Sequence, residues 1–353
     1  MPDPVVATAS PPIDLLDLPQ PYLLFLGDAT HPGFAKTAFG LRDWAPERCL
    51  GEYALAGAQV SLGLPAMSPL QARVAGARAL VIGVANIGGV IPDSWLPALS
   101  QALADGLDLV GGMHTRLNDV VSLREQARRH GRRLIDVREP PPNLPTATGS
   151  KRSGKRLLTV GTDCALGKKY TALSLARAMR EAGIDAEFRA SGQTGVLIAG
   201  RGLPLDAVIS DFAAGAAELL SPDAHAAHWD VIEGQGSLSH PAYAGVSLAL
   251  LHGSQPDVIV VCHEPGRQTM LGYPDYRLPS IEETIELNLM LGRRTNPAIR
   301  CAGVSLNTSQ LDEAQAAALI ESESARLGIP VADPIRGGAA LRRLMLACLN
   351  ERT

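Results

Sequence analysis

Short, continuous apolar runs alternate along this chain with longer stretches in which apolar residues recur every three or four positions. In the first part the runs are YLLFLG (22–27), RALVIGVA (78–85), LDLVGG (107–112) and RLIDV (133–137). The last three are separated by helical stretches such as SWLPALSQALADG and DVVSLREQARRHG. Runs that are apolar throughout, rather than at alternate positions, need cover on both faces, which predicts a parallel sheet between helices. The pattern returns in RLLTV (156–160), AEFRA (186–190), WDVIE (229–233), DVIVVC (257–262), CAGVSL (301–306) and IPVAD (329–333). Helical patterns lie between these strands, among them TALSLARAMREAG, SIEETIELNLML and LDEAQAAALIESESARLG, the first and last closing on glycine.

Between the two sets lies REPPPNLPTATGSKRSGKR, from residue 138. Three successive prolines followed by small polar and basic residues continue neither a helix nor a central strand. The expected organisation is therefore α/β: a Rossmann-like parallel-sheet domain over residues 1–137, a linker over 138–155, and a doubly wound domain over 156–353. A chain of 353 residues with 46% hydrophobic content has enough apolar material for two cores.

Composition removes several functional classes. The net charge of −4 provides no basic field for nucleic acid. The five cysteines are scattered without a CxxC pair, which argues against a disulfide framework and a zinc site; no metal is expected. The N-terminal MPDPVVATASPPIDLLDLPQ lacks the basic start of a signal peptide, and no apolar run reaches the roughly 18 residues of a membrane helix. The expectation is a cytoplasmic homo-oligomer acting on a small molecule. In the first domain GDATHPG and GVANIGGVIP read as tight turns, and without GxGxxG no nicotinamide site is expected there.

The candidate chemistry begins at residue 161. Gly161, Thr162, Asp163, Cys164, Ala165, Leu166, Gly167 and Lys168 join a strand to a helix in the manner of a phosphate-binding loop. The glycines let the backbone approach an anion, the helix start directs N–H groups at it, and Lys168 adds a point charge. Lys169 then stands where a magnesium-holding hydroxyl is usual, and Tyr170 follows. Thr171, two positions further, is turned about 200° around the helix and does not substitute. A second cation suits a phosphate or pyrophosphate bound without metal. Cys164 reads as a small loop residue rather than a nucleophile.

Ligands of open α/β sheets bind beyond the carboxyl ends of the strands, which makes the next loops candidates. They offer Arg189, Ser191, Gln193 and Thr194 after one strand, and Glu233 with Gln235, Ser239, His240 and Tyr243 after another. His263, Glu264 and Arg267 follow a third, and Asn307 a fourth. Glu233 matches a position that holds metal or serves as a base, and His263 is the alternative base. Asp211 reads equally as a helix cap or a site residue, and Asn307 as a turn or an adenine contact.

The loop GTDCALGK resembles that of dethiobiotin synthetases. Together with SGQTG, DAVISDFAAGAAE, EGQGSLSHPAYAGVSLALLHG, PDVIVVCHEPGR and GVSLNTS, it resembles a two-domain family long catalogued as of unknown function. That family includes the DgcN-type N-acetyltransferases of D-glutamate catabolism. The resemblance covers nearly the whole chain, although Lys169 and Tyr170 depart from the expected GK-x-T-T run. It implies acetyl-CoA at the phosphate loop, a dicarboxylic acceptor met by Arg189, Arg267 and His240, and Glu233 or His263 taking the ammonium proton. Two other readings stay open: a dethiobiotin-synthetase-like ligase or kinase using ATP, with magnesium on Glu233 or Asp211, and a non-catalytic nucleotide or CoA sensor.

Overall fold

The computed structural model describes residues 16–84 and 89–350. Residues 1–15, which include most of the segment read for a signal peptide, and 85–88 of the glycine-rich turn lie outside the described residues.

The N-terminal domain runs β1 (Leu16–Asp17), β2 (Tyr22–Gly27), α1 (Lys36–Trp44), β3 (Cys49–Ala54), α2 (Pro69–Val74), β4 (Ala79–Ile82), α3 (Leu96–Ala104), β5 (Asp108–Gly111), α4 (Val121–His130) and β6 (Leu134–Asp136). Five of these strands form a sheet in the order β3-β2-β4-β5-β6, parallel throughout. Strands β2, β4 and β5 are buried at every position, as their unbroken apolar runs require. Edge strand β3 has no such run: its CLGEYA carries glycine and glutamate and is partly exposed, so the apolar pattern did not reveal it.

The C-terminal domain runs β7 (Lys155–Gly161), α5 (Lys168–Glu181), β8 (Ala186–Arg189), α6 (Gln193–Ala199), β9 (Arg201–Gly202), α7 (Ser210–Leu220), β10 (Trp229–Ile232), α8 (Ala244–Ser254), β11 (Val258–His263), β12 (Thr269–Met270), β13 (Tyr273–Arg277), α9 (Ile281–Gly292), β14 (Arg300–Leu306), α10 (Glu313–Leu327), β15 (Val331–Ala332) and α11 (Gly338–Leu349). Its six-stranded sheet, β15-β14-β11-β7-β10-β8, is again parallel. Leu157, Val231 and Val258 pack with Leu175 and Met179 of α5 on one face. Their neighbours Leu158, Ile232 and Ile259 pack with Leu220 of α7 and Leu251 of α8 on the other. Helices α9 and α10 start at capping boxes, Ser280 with Glu283 and Asp312 with Gln315, and α10 stops at Gly328 in the left-handed region.

Residues 137–154 contain neither helix nor strand, yet they are tied to the domain that follows. Glu218 of α7 accepts the backbone N–H groups of Thr148 and Gly149, each at 2.9 Å. The fully buried Arg156 donates to Ser221 Oγ at 2.6 Å and to the carbonyls of Ser153 and Pro222. The domains also touch directly. Strand β1 pairs with β9 and Arg48 donates to the Ile198 carbonyl at 2.8 Å, while Arg138, at the start of the connecting segment, bridges to Asp206 at 2.9 Å. Among the described residues no helix is long and apolar enough to cross a membrane.

Candidate active site

Strand β7 lies between β10 and β11, so the loop after it stands between the residues that follow those two strands. That is where the chain changes direction across the sheet, the ordinary place for a ligand. Gly167 (φ +101°) caps α5, and Ala165 holds φ +54°, a region that a residue with a Cβ occupies at some cost in strain. Among the described residues no hydrogen bond takes up the backbone N–H groups of Ala165, Leu166, Gly167, Lys168 and Lys169. Several unpaired donors thus stand at a helix start, the condition an anion cradle needs.

Lys168 is buried, and its Nζ donates to the Asp163 carbonyl at 2.7 Å. Burial lowers the pKa of both Lys168 and Lys169, and for Lys169 the Glu233 carboxylate works against that fall. Thr171 is wholly buried, its hydroxyl on the Gly167 carbonyl (3.0 Å) and Ser305 Oγ (2.8 Å). It faces the sheet rather than the loop, as its place on the helix predicts.

Glu233 directly follows β10 and is buried. Its Oε2 accepts the backbone N–H groups of Ser191 and Gly192, both at 3.1 Å. Ser191 Oγ donates to the Glu233 carbonyl and accepts from Gln235 Nε2 at 2.9 Å. A Cβ on Gly195 would lie 2.1 Å from Glu233 Oε2, so only glycine lets α6 come this close. The motifs SGQTG and EGQG are thereby one unit, built around a single carboxylate. Burial pushes that carboxyl up to about 7, against the opposing pull of Lys169 and the two N–H groups. Gly234 packs against the Lys168 stem: a Cβ there would lie 3.2 Å from Lys168 Cδ and 1.6 Å from the Thr159 carbonyl.

On the other side of the loop His263 Nδ1 lies 3.1 Å from Thr162 Oγ1, and burial lowers its pKa. Asn307 donates its N–H to the His263 carbonyl, while its side chain closes a turn on Ser309. Burial raises the Cys164 thiol against the influence of Lys168, which fits a passive loop residue.

Several expected residues are used otherwise. Asp163 is wholly buried and binds protein groups: its Oδ2 takes Arg267 Nη1 at 2.9 Å and the Leu271 N–H at 2.8 Å. Arg267 also holds Glu264 and the Cys164 carbonyl, so its guanidinium braces the loop. His240 is buried between the rings of Tyr243 and Tyr273. The Ala242 N–H donates to its Nδ1, which in the neutral ring leaves the proton on Nε2, 3.8 Å from Asp163. Arg189 is held by Asp230 (2.6 Å) and Glu187 (3.0 Å). Register explains this: Glu187 pairs with Asp230 and Arg189 with Ile232, placing all four on one face, whereas Glu233 turns to the other. Asp211 is exposed in the first turn of α7, and among the described residues no hydrogen bond or ion pair joins it to Glu233 or Lys168. Gln193 and Thr194 face the N-terminal domain, against Gly112 and Gly40.

A cavity of about 670 Å³ opens beside Ala165–Gly167 and runs along α5 past Ser174 and Arg177, with Asn307 and Ile335 on its far side. Asp43 and Trp44 of the N-terminal domain complete its wall. Neither they nor Arg177 stood out in the sequence. Trp44 carries no local motif, and its arrival at α5 is purely tertiary.

The chain belongs to the DUF1611 family. Residues 145–344 match its P-loop domain of unknown function, and residues 48–140 match its Rossmann-like N-terminal domain. A Pseudoalteromonas protein named D-glutamate N-acetyltransferase is 50% identical over 323 residues, covering 92% of this chain and 97% of its own. A protein of the same name from Tritonibacter scottomollicae is 51% identical over 319 residues, covering 90% and 96%. The crystal structure of a DUF1611 family protein from Anabaena variabilis superimposes with a TM-score of 0.82 at 34% identity, covering 94% of this chain and all of that one.

Proposed function

We propose that this protein is an N-acetyltransferase that moves the acetyl group of acetyl-CoA to the amino group of D-glutamate. The name carried by two relatives at 50% and 51% identity supports the reaction. The observation that carries it within the molecule is Glu233: a buried carboxyl pushed up to about 7, set against a phosphate cradle. A carboxyl raised by burial toward neutrality is suited to take and return a proton.

In this reading the loop N–H groups and Lys168 hold the CoA pyrophosphate. Glu233 takes a proton from the acceptor ammonium, the freed amine attacks the thioester carbonyl carbon, and the C–S bond breaks. The amide nitrogen then gives up its second proton, which the departing thiolate takes up, and Glu233 releases the first to solvent, so that amide, thiol and one free proton result. With Arg189 and Arg267 held by protein carboxylates, Lys169 becomes our choice for a substrate carboxylate. It lies near Glu233, and among the described residues it makes no ion pair. The same reading makes the protein a cytoplasmic homo-oligomer of amino-acid catabolism.

The test is thiol release from acetyl-CoA with D-glutamate or L-glutamate as acceptor, in EDTA. Transfer to the D enantiomer is expected. ATP consumption without thiol release would instead establish the ligase chemistry of dethiobiotin synthetase.

A further inference from the structure

Trp44, at the end of α1, is gripped by two residues of α5. Its ring stacks on Tyr170 with centroids 5.9 Å apart and 24° between planes, and the Arg177 guanidinium carbon lies 4.4 Å from its centroid. Tyr170 and Arg177 are seven residues apart, two turns along one helical face. That face is a wall of the 670 Å³ cavity opening from the phosphate loop. The volume falls within the range of small-molecule sites.

We propose that this cavity receives a 3′-phosphorylated adenosine, the nucleotide end of coenzyme A, and that Arg177 reads the 3′-phosphate while Trp44 positions Arg177. The inference rests on the reading that a CoA thioester occupies the phosphate loop, and it adds the residues that separate CoA from other adenine nucleotides. Arg177 is the only cation among the described residues lining the cavity. Among the described residues Arg177 forms no ion pair with the carboxylates that share the wall, Asp43, Glu181 and Asp333. Asp43 is paired with Arg42 at 2.6 Å, and Asp333 accepts from the Thr308 hydroxyl and the Ile335 N–H. A guanidinium held over an indole by its carbon still has N–H groups to offer, and a guanidinium fork matches a phosphate in bidentate fashion.

Lys168 and Arg177 are nine positions apart in α5, about 13 Å along the helix axis and about 180° around it. Helical side chains lean toward the N-terminus, which brings the guanidinium back toward the loop. A pyrophosphate held by the N–H groups of Ala165–Gly167, which border the cavity, would place the phosphate of the attached ribose on the Arg177 side of the helix. The arrangement also accounts for Tyr170, which stands in a run where hydroxyl residues were expected. It carries the N-terminal domain's Trp44 instead.

The test is calorimetric titration of wild-type protein and Arg177→Gln with CoA and with 3′-dephospho-CoA. Wild type should bind CoA about tenfold or more tightly than the dephospho form, the scale of one charge-assisted phosphate contact. Arg177→Gln should bind the two equally, with its affinity for the dephospho form unchanged within about twofold. Arg177 is exposed, so the variant should fold normally. A variant that keeps the full preference, or a wild type without one, overturns the inference while leaving CoA at the loop. If wild type binds neither compound, the acetyl-CoA reading falls with it.

Discussion

The Nζ of Lys168 donates to the carbonyl oxygen of Asp163 in its own loop, 2.7 Å away, beneath a helix start whose N–H groups have no protein acceptor among the described residues. The lysine is held at the floor of the loop by the chain that forms it, so in the proposed reading a phosphate would meet a charge already in place and partly desolvated. Lys168→Met keeps the stem that packs on Gly234 and removes the charge. We expect acetyl-CoA affinity to fall at least about tenfold, from the loss of roughly 1.5–3 kcal/mol. Unchanged affinity by calorimetry would take the loop out of the mechanism.

Glu233→Gln should bind acetyl-CoA normally and lose about 10²–10⁴ in turnover, with partial recovery at high pH where free amine is abundant. Wild-type turnover should rise with pH through about 7, because only the ionised carboxylate accepts a proton. Wild-type rates in the variant would move the base to His263.

The same carboxyl should be visible in stability. Its folded pKa, about 7, stands above the ordinary 4.5, so the folded state holds the proton more tightly than the unfolded state. The stability this contributes is complete below about 4.5 and is lost as pH rises through about 7. Wild type should therefore lose stability relative to Glu233→Gln between about pH 5 and about pH 8 in thermal melts. Parallel curves for the two proteins would show that the carboxyl titrates normally.

Asp163 tests whether the loop is braced from behind. Asp163→Ala removes the acceptor shared by Arg267, Leu271 and the Cys164 N–H, and it leaves a partly buried guanidinium without its main partner. We expect a loss of about 3 kcal/mol or more in urea unfolding. A loss below about 1 kcal/mol would mean that Glu264 holds Arg267 alone.

Gly215 tests the docking of the segment between the domains. In most helices Gly→Ala stabilises by up to about 1 kcal/mol. Here a Cβ would lie 2.0 Å from the Pro145 carbonyl oxygen, so Gly215→Ala should destabilise by about 1–3 kcal/mol. A raised melting temperature would show that residues 138–154 move freely off α7.

The parallel strands, their helices and the phosphate loop were legible in the chain because each follows from local spacing. Unbroken apolar runs, capping residues and glycines at strand ends act over a few neighbours. Glu233 was legible for the same reason, as a carboxylate at the end of a buried strand. Edge strand β3 and the β12–β13 hairpin were not, since a half-exposed or very short strand has little apolar signature. Arg189 shows the next limit. Its position beside a glycine loop suggested a ligand contact, but the pairing of β8 with β10 puts it on the face of Asp230, and that register is set by strands far apart in the chain. Strand order likewise decided that Glu233 and His263 flank the loop, and tertiary packing alone brought Trp44 of the first domain onto Tyr170 and Arg177 of the second. Local chemistry is written in neighbouring residues, whereas contacts between distant segments exist only once burial of the two cores has fixed which faces meet.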